Sequence, residues 1–96
     1  MRAIAVFLET IADEATFADY RARVIPTLQP FGGVFLVRGG AFSLLEGRMP
    51  CERVVLVEFP SRDAAEGWYA SAAYRAILPL RLASARGDAF IVDAVS

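Results

Sequence analysis

Four stretches of this 96-residue chain are apolar without alternation: AIAVFLE from Ala3, GVFLVRGGAFSLL from Gly33, RVVLVEFP from Arg53 and DAFIVDAV from Asp88. A strand turns successive side chains to opposite faces, so one that meets water on one face alternates apolar with polar residues. These do not alternate, and each is expected to be a strand covered on both faces. Between them the period changes. Phe17, Tyr20, Arg21, Val24 and Leu28 recur at helical spacing, with Asp13 or Thr10 as caps. After Pro60 a second helical region follows, capped by Ser61, with Asp63 in its first turn and a stripe of Ala65, Trp68, Ala72 and Ile77. The order β-α-β-β-α-β is the split ferredoxin-like arrangement, an α+β fold with a four-stranded antiparallel sheet and both helices on one face. The other face is left apolar. A second copy of the same sheet is the simplest cover for it, so a homodimer through the sheet faces is expected.

Smaller signals punctuate this outline. Pro26 predicts a kink or an end of the first helix near Ile25. Gly39-Gly40 predicts a bulge or sharp bend in the second strand, and EGRMPCE a polar turn after it. Ser71 interrupts the second helical region, with Pro79 soon after, and Gly87 is expected to end it. No linker or repeat divides the chain, so residues 1–96 form one domain.

Composition narrows the function. A hydrophobic content of 56% exceeds what one small domain normally hides, which again points to a partner subunit. A net charge of −1 with interspersed signs argues against nucleic acid or a membrane surface. The N-terminal apolar run is too short to span a bilayer and no cleavage site follows it, so a cytoplasmic protein is expected. A single cysteine, Cys51, excludes an internal disulfide and reads as an incidental thiol with no base beside it. With no histidine, a Ser-His-Asp relay is excluded, and a metal site needs clustered carboxylates that the sequence lacks. No metal and no cofactor are expected. Neither glycine pair stands between a strand and a helix N-terminus, as a phosphate-cradling loop requires.

The candidate site residues are Arg38, Glu58, Trp68, Tyr74, Tyr20 and Arg81. A charge inside an apolar strand is costly unless paired, and a turn centred near Arg48 places Arg38 opposite Glu58. Two readings stay open: a cross-strand salt bridge that holds register, or an anion-orienting arginine tuned by Glu58. Trp68 and Tyr74 on the second helical region, and Tyr20 on the first, form aromatic stripes that most often are plain core. Buried tyrosine hydroxyls need partners, however, and can present donors to a ligand. Arg81 is either a further donor or a solvated side chain. A cavity is expected between the sheet and the second helical region, lined by Trp68 and Tyr74, with Arg38 near its polar end.

The segments YRARVIPTLQPFGGVFLVRGG, Glu46-Gly47 and VVLVEFPSRDAAEGWYASAAYRAILPLR together resemble the domain-of-unknown-function 1330 family of the dimeric α/β-barrel superfamily. The chain departs from it at Ala72-Ala73, where many members have Pro-Glu. The resemblance implies a ferredoxin-like protomer that pairs through its sheet into a barrel. It also implies kinship with cofactor-free monooxygenases, haem-degrading oxygenases, lactone isomerases and stress-related proteins, within a family that has no settled reaction. Absence of histidine removes the usual proximal haem ligand, so the haem branch is set aside. Two functions follow. One is a binding dimer whose pocket holds a small anionic or carbonyl-bearing organic molecule. The other is a metal-free, cofactor-independent monooxygenase- or isomerase-like enzyme, with Arg38 and tyrosines stabilising an enolate and Glu58 as base. Pairing with Arg38 lowers the basicity of Glu58, which favours binding.

Overall fold

A computed structural model of the chain describes residues 1–95. The elements are β1 (Ala3–Ile11), α1 (Glu14–Leu28) with a 3₁₀ turn at Gln29–Phe31, β2 (Val34–Arg38), β3 (Arg53–Phe59), α2 (Arg62–Ala70), α3 (Ala72–Ser84) and β4 (Ala85–Asp93). All pairings are antiparallel, in the order β2-β3-β1-β4. This is the expected ferredoxin-like sheet, with the second helical region split in two.

Local chemistry explains the boundaries. Asp13 stays extended and its carboxylate accepts from the Thr16 backbone N–H at 3.1 Å, which starts α1. Ser61 does the same for α2 through the Ala64 N–H. Ser71 serves both its neighbours: its hydroxyl donates to the Trp68 carbonyl at 2.7 Å, and its oxygen accepts from the Tyr74 N–H at 3.2 Å. The break expected at Ser71 is therefore a junction between two capped helices.

Three boundaries differ from the expectations. α1 runs through Pro26 to Leu28 and does not end near Ile25. Pro26 forfeits a bond to the Ala22 carbonyl, but both residues are exposed and water can serve that oxygen. α3 likewise passes through Pro79, an exposed position. Gly87 does not end the helical region; α3 stops at Ser84 and Gly87 lies within β4, opposite Glu9. There its φ is 146°, and a Cβ would collide with the Leu8 carbonyl oxygen. Finally, β2 is only Val34–Arg38, and residues 39–52 form an irregular loop.

The sheet has two apolar faces. Ala3, Ala5 and Phe7 of β1 and Val55, Val57 and Phe59 of β3 point under the helices and are buried. Trp68 packs on them, with its ring centroid 5.5 Å from Phe59 and 4.1 Å from Tyr74. The opposite face carries Ile4, Val6, Leu8, Val54 and Leu56, all partly buried, flanked by the exposed Leu36, Phe90 and Val92. Among the described residues no helix covers that face. Nor is any described helix long and apolar enough to cross a membrane.

Candidate functional site

Glu9 is the third residue in the inward series Ala5, Phe7, Glu9, and it is 3% exposed. It lies directly opposite Arg53 on β3 and Gly87 on β4. Arg53 Nε stands 3.4 Å from Glu9 Oε1, an ion pair too poorly aligned to be a hydrogen bond. On the other side Arg81 of α3 brings Nη1 to 3.9 Å from Glu9 Oε2. Arg81 Nε donates to the Tyr74 hydroxyl at 3.2 Å, and that hydroxyl shares a hydrogen bond of 2.9 Å with the Tyr20 hydroxyl. Trp68 Nε1 donates to Thr27 Oγ1 at 3.0 Å, so the indole is fixed by α1.

These groups set one another's protonation. Burial raises the Glu9 carboxyl above the usual glutamate range, against the opposing pull of Arg81 and Arg53. Burial also raises both phenols, Tyr20 far above its ordinary value with the Tyr74 hydroxyl adding to the effect. Both tyrosines are therefore neutral hydrogen-bonding groups at any physiological pH. For Arg81, burial opposes the charge but Tyr74, Tyr20 and Glu9 outweigh it and hold its pKa up.

Beside this network is a cavity of about 30 Å³ between β1, β2, β3 and α1. Room for a water or two is all that such a volume gives. Its mouth is cationic. Arg21 lies over the Phe17 ring at 5.1 Å, Arg53 approaches the same ring at 5.3 Å, and Arg38 stacks on Phe35 at 4.3 Å. Arg38 also donates to the Arg21 backbone carbonyl at 3.0 Å. Its pKa is lowered by desolvation and then by repulsion from Arg21 and Arg53, which line the same cavity.

The strand register explains Arg38. Phe35 pairs with Val57 but Val37 pairs with Leu56, so Leu36 is an extra residue, a bulge. The bulge inverts the pleat beyond it. Phe35 and Arg38 thus share the helix-facing side, and Arg38 reaches the cavity. The expected bulge at Gly39-Gly40 is displaced to Leu36, while Gly39, with φ of 76°, ends the strand by donating to the Val54 carbonyl at 2.8 Å.

The expected Arg38–Glu58 pair does not form. Arg38 lies opposite Val55, and Glu58 lies opposite Val34 on the other face, where it binds Arg2 at 2.6 Å. The hairpin is centred near Glu46, not Arg48, and the bulge places the two side chains on opposite faces. The buried cross-strand acid–arginine pair exists in this sheet, but it is Glu9–Arg53. Of the other candidates, Tyr20, Tyr74, Arg81 and Trp68 lie together. Trp68 and Tyr20 line the cavity with Arg38, whereas Tyr74 is not in its lining. The cavity lies under the first helix, not the second helical region. A separate cleft of about 220 Å³ does lie beside α2, walled by Phe7, Trp68, Tyr69, Ala89 and Ile91 and carrying no charge. Among the described residues, no group of three or more potential metal-ligating side chains converges.

Gly39 supports the mouth. A Cβ there would overlap the Arg53 guanidinium, and the positive φ disfavours any side chain. Gly39→Ala is expected to lose about 1–3 kcal/mol of stability in urea unfolding, from backbone strain and displacement of Arg53. An unchanged midpoint would show that the loop adapts freely.

Comparison with known proteins follows from this geometry. A family model described as "Domain of unknown function (DUF1330)" matches residues 2–95. A comparison with curated proteins returns no match. Among solved structures, the RPA0582 protein of unknown function from Rhodopseudomonas palustris is similar with a TM-score of 0.80 at 17% identity, over 99% of this chain and 83% of that one. SnoaB, a cofactor-independent oxygenase from Streptomyces nogalater, is similar with a TM-score of 0.68 at 17% identity, over 99% and 94% of the two chains. An antibiotic biosynthesis monooxygenase is similar with a TM-score of 0.57 at 19% identity, over the whole of both chains. At such identities the likeness is one of fold.

Proposed function

The chain belongs to the DUF1330 family, and from that premise we propose that it is a homodimer, joined through the open sheet faces, that binds a small anionic or carbonyl-bearing organic molecule between sheet and helices. The observation that carries the binding role is the convergence of Arg21, Arg38 and Arg53 on one cavity mouth whose walls are otherwise mostly apolar. The dimer is supported by the uncovered apolar face. The protomer is a slab of 32 × 31 × 16 Å, and its broad face is on the order of the 800 Å² per partner that a standard interface buries.

A second reading, a cofactor-independent enzyme, is favoured by the fold it shares with SnoaB and by Glu9. A buried carboxyl with a raised pKa beside neutral phenols suits proton abstraction next to a carbonyl. The proton passes to Glu9 and the negative charge to the carbonyl oxygen, with Tyr20 as hydrogen-bond donor. Glu9 takes the place of Glu58 as base in this reading.

Native mass spectrometry with a panel of small aromatic and keto acids tests the proposal. A dimer mass that retains acids in wild type, and fewer of them in Arg38→Leu, is the expected result. A monomer that retains none contradicts it. Deuterium exchange at the benzylic CH2 of phenylpyruvate, the carbon next to its ketone, tests the second reading, which fails if wild type is no faster than Glu9→Gln.

A further inference from the structure

We propose that the cavity mouth takes the carboxylate of an organic acid and that Glu9 takes up a proton as the acid enters. This rests on the binding role proposed above and adds the ligand class and its coupling to pH.

The charge pattern names the class. Three surface arginines pair with acids, Arg2 at 2.6 Å from Glu58, Arg23 at 2.9 Å from Asp19 and Arg62 at 2.6 Å from Asp93, whereas Arg48, Arg75 and Arg86 form no ion pair among the described residues. What sets the mouth apart is that several arginines converge there on one apolar cavity. Arg21 and Arg38 at the mouth form no ion pair among the described residues, and the buried Nε of Arg53 has no hydrogen-bond partner there. Three guanidiniums therefore face one space with a single carboxylate, Glu9, which is already shared with Arg81. Planar forks of this kind match a carboxylate with paired hydrogen bonds. Behind them the walls are Phe17, Val24, Phe35, Val55 and Trp68, which suit a hydrocarbon body and give an inorganic oxyanion nothing to bond. Arg38 is exposed and Arg21 partly so; each stacks on a ring, and Arg38 is held in addition by its hydrogen bond to the Arg21 carbonyl. The cavity itself holds about 30 Å³, so an organic acid enters only as these side chains and the apolar walls behind them move aside.

The proton follows from the surroundings of Glu9. Acting on it are Arg53 of β3, Arg81 of α3, and Arg21 and Tyr20 of α1, with Tyr74 reaching it only through Arg81 and Tyr20, while Gly87 lies opposite it on β4. Among the described residues lining the cavity, Glu9 is the single acid. Its arginines favour the ionised form of Glu9, against a burial penalty that outweighs them and lifts its pKa. An incoming carboxylate draws Arg53 toward itself and adds like-charge repulsion, and both effects favour the neutral acid. Binding is then tightest at low pH and weakens as pH rises through the range where free Glu9 ionises, by up to about tenfold per pH unit.

Isothermal titration calorimetry with benzoate, phenylpyruvate and the neutral benzamide, in buffers of different ionisation enthalpy between about pH 5 and 8, tests this. Expected are net proton uptake with both acids, affinity falling as pH rises, and benzamide weaker than benzoate by about tenfold or more. Glu9→Gln is expected to bind benzoate without proton uptake and with no pH dependence. If that variant does not fold, the buffer series on wild type decides alone. Binding without proton uptake, or benzamide equal to benzoate, overturns the inference and leaves the binding role standing. Failure of every probe to bind wild type overturns both.

Discussion

Leu56→Asp is expected to convert the protein from a dimer to a monomer. Leu56 lies on β3, a central strand, opposite Val6 and beside Val54 on the face without helices. In a two-fold interface the substitution occurs twice, and each aspartate must lose its water on a mostly apolar face. A weakening of dimerisation by on the order of 10³-fold or more follows, about 4 kcal/mol. Because the side chain points away from the helices, the protomer's own core is untouched. Sedimentation across a concentration series reads the change, and far-UV circular dichroism checks the fold. The wild-type urea midpoint is expected to rise with protein concentration, since a dimer is stabilised by mass action. A concentration-independent midpoint in a sedimenting monomer contradicts the interface.

Arg81→Met is expected to cost about 3–5 kcal/mol at pH 8, the range for removing one partner of a buried ion pair. Arg81 is 8% exposed and serves both Glu9 and the Tyr74–Tyr20 pair. At pH 5 the loss is expected to be smaller, because Glu9 can take a proton and cease to be an unpaired charge. The sign in wild type follows from the same group. The folded-state pKa of Glu9 is raised from 4.5, so its contribution is fully present below 4.5 and declines as pH rises through the raised value. Asp13 and Asp93 are lowered from 3.8, so their contributions are lost only as pH falls below that value, and the two windows do not overlap. Glu9→Gln is expected to flatten the upper window alone. Equal losses for Arg81→Met at pH 5 and pH 8, measured by urea unfolding, would show that Glu9 does not respond to it.

Much of the fold was legible because it rests on periodicity and punctuation. The change from unbroken apolar runs to helical spacing around Phe17 and Trp68 placed the elements, and Ser71 marked the helix junction. The site was less legible, for a reason in the same strands. Where both faces of a sheet are apolar, nothing in AIAVFLE tells which residues point inward, so Glu9 reads as a strand end and not as a buried acid. Its position two residues after Phe7 was the available signal. Arg53 reads as the first residue of the third strand, where nothing in the sequence tells which face it takes. Arg38 was singled out for a sound reason, the cost of a charge in an apolar strand, but its partner was chosen from turn symmetry. Neither the length of the loop at 39–52 nor the bulge at Leu36 leaves a mark in the sequence, and together they shift Glu58 to the other face. Pro26 misled because exposure, which makes its lost hydrogen bond tolerable, is a property of packing.

Trp68, the single tryptophan, forms part of the cavity wall, so its emission reports directly on the central claim that the arginine-lined cavity is a binding site. Titration with benzoate near pH 6 is expected to give a saturable change in wild type. Arg38→Leu, which removes an exposed guanidinium but keeps an apolar group over Phe35, is expected to weaken that binding by about 10–100-fold. A saturable change with the same affinity in both proteins, or none in wild type, would contradict the claim and assign the arginines to the architecture alone.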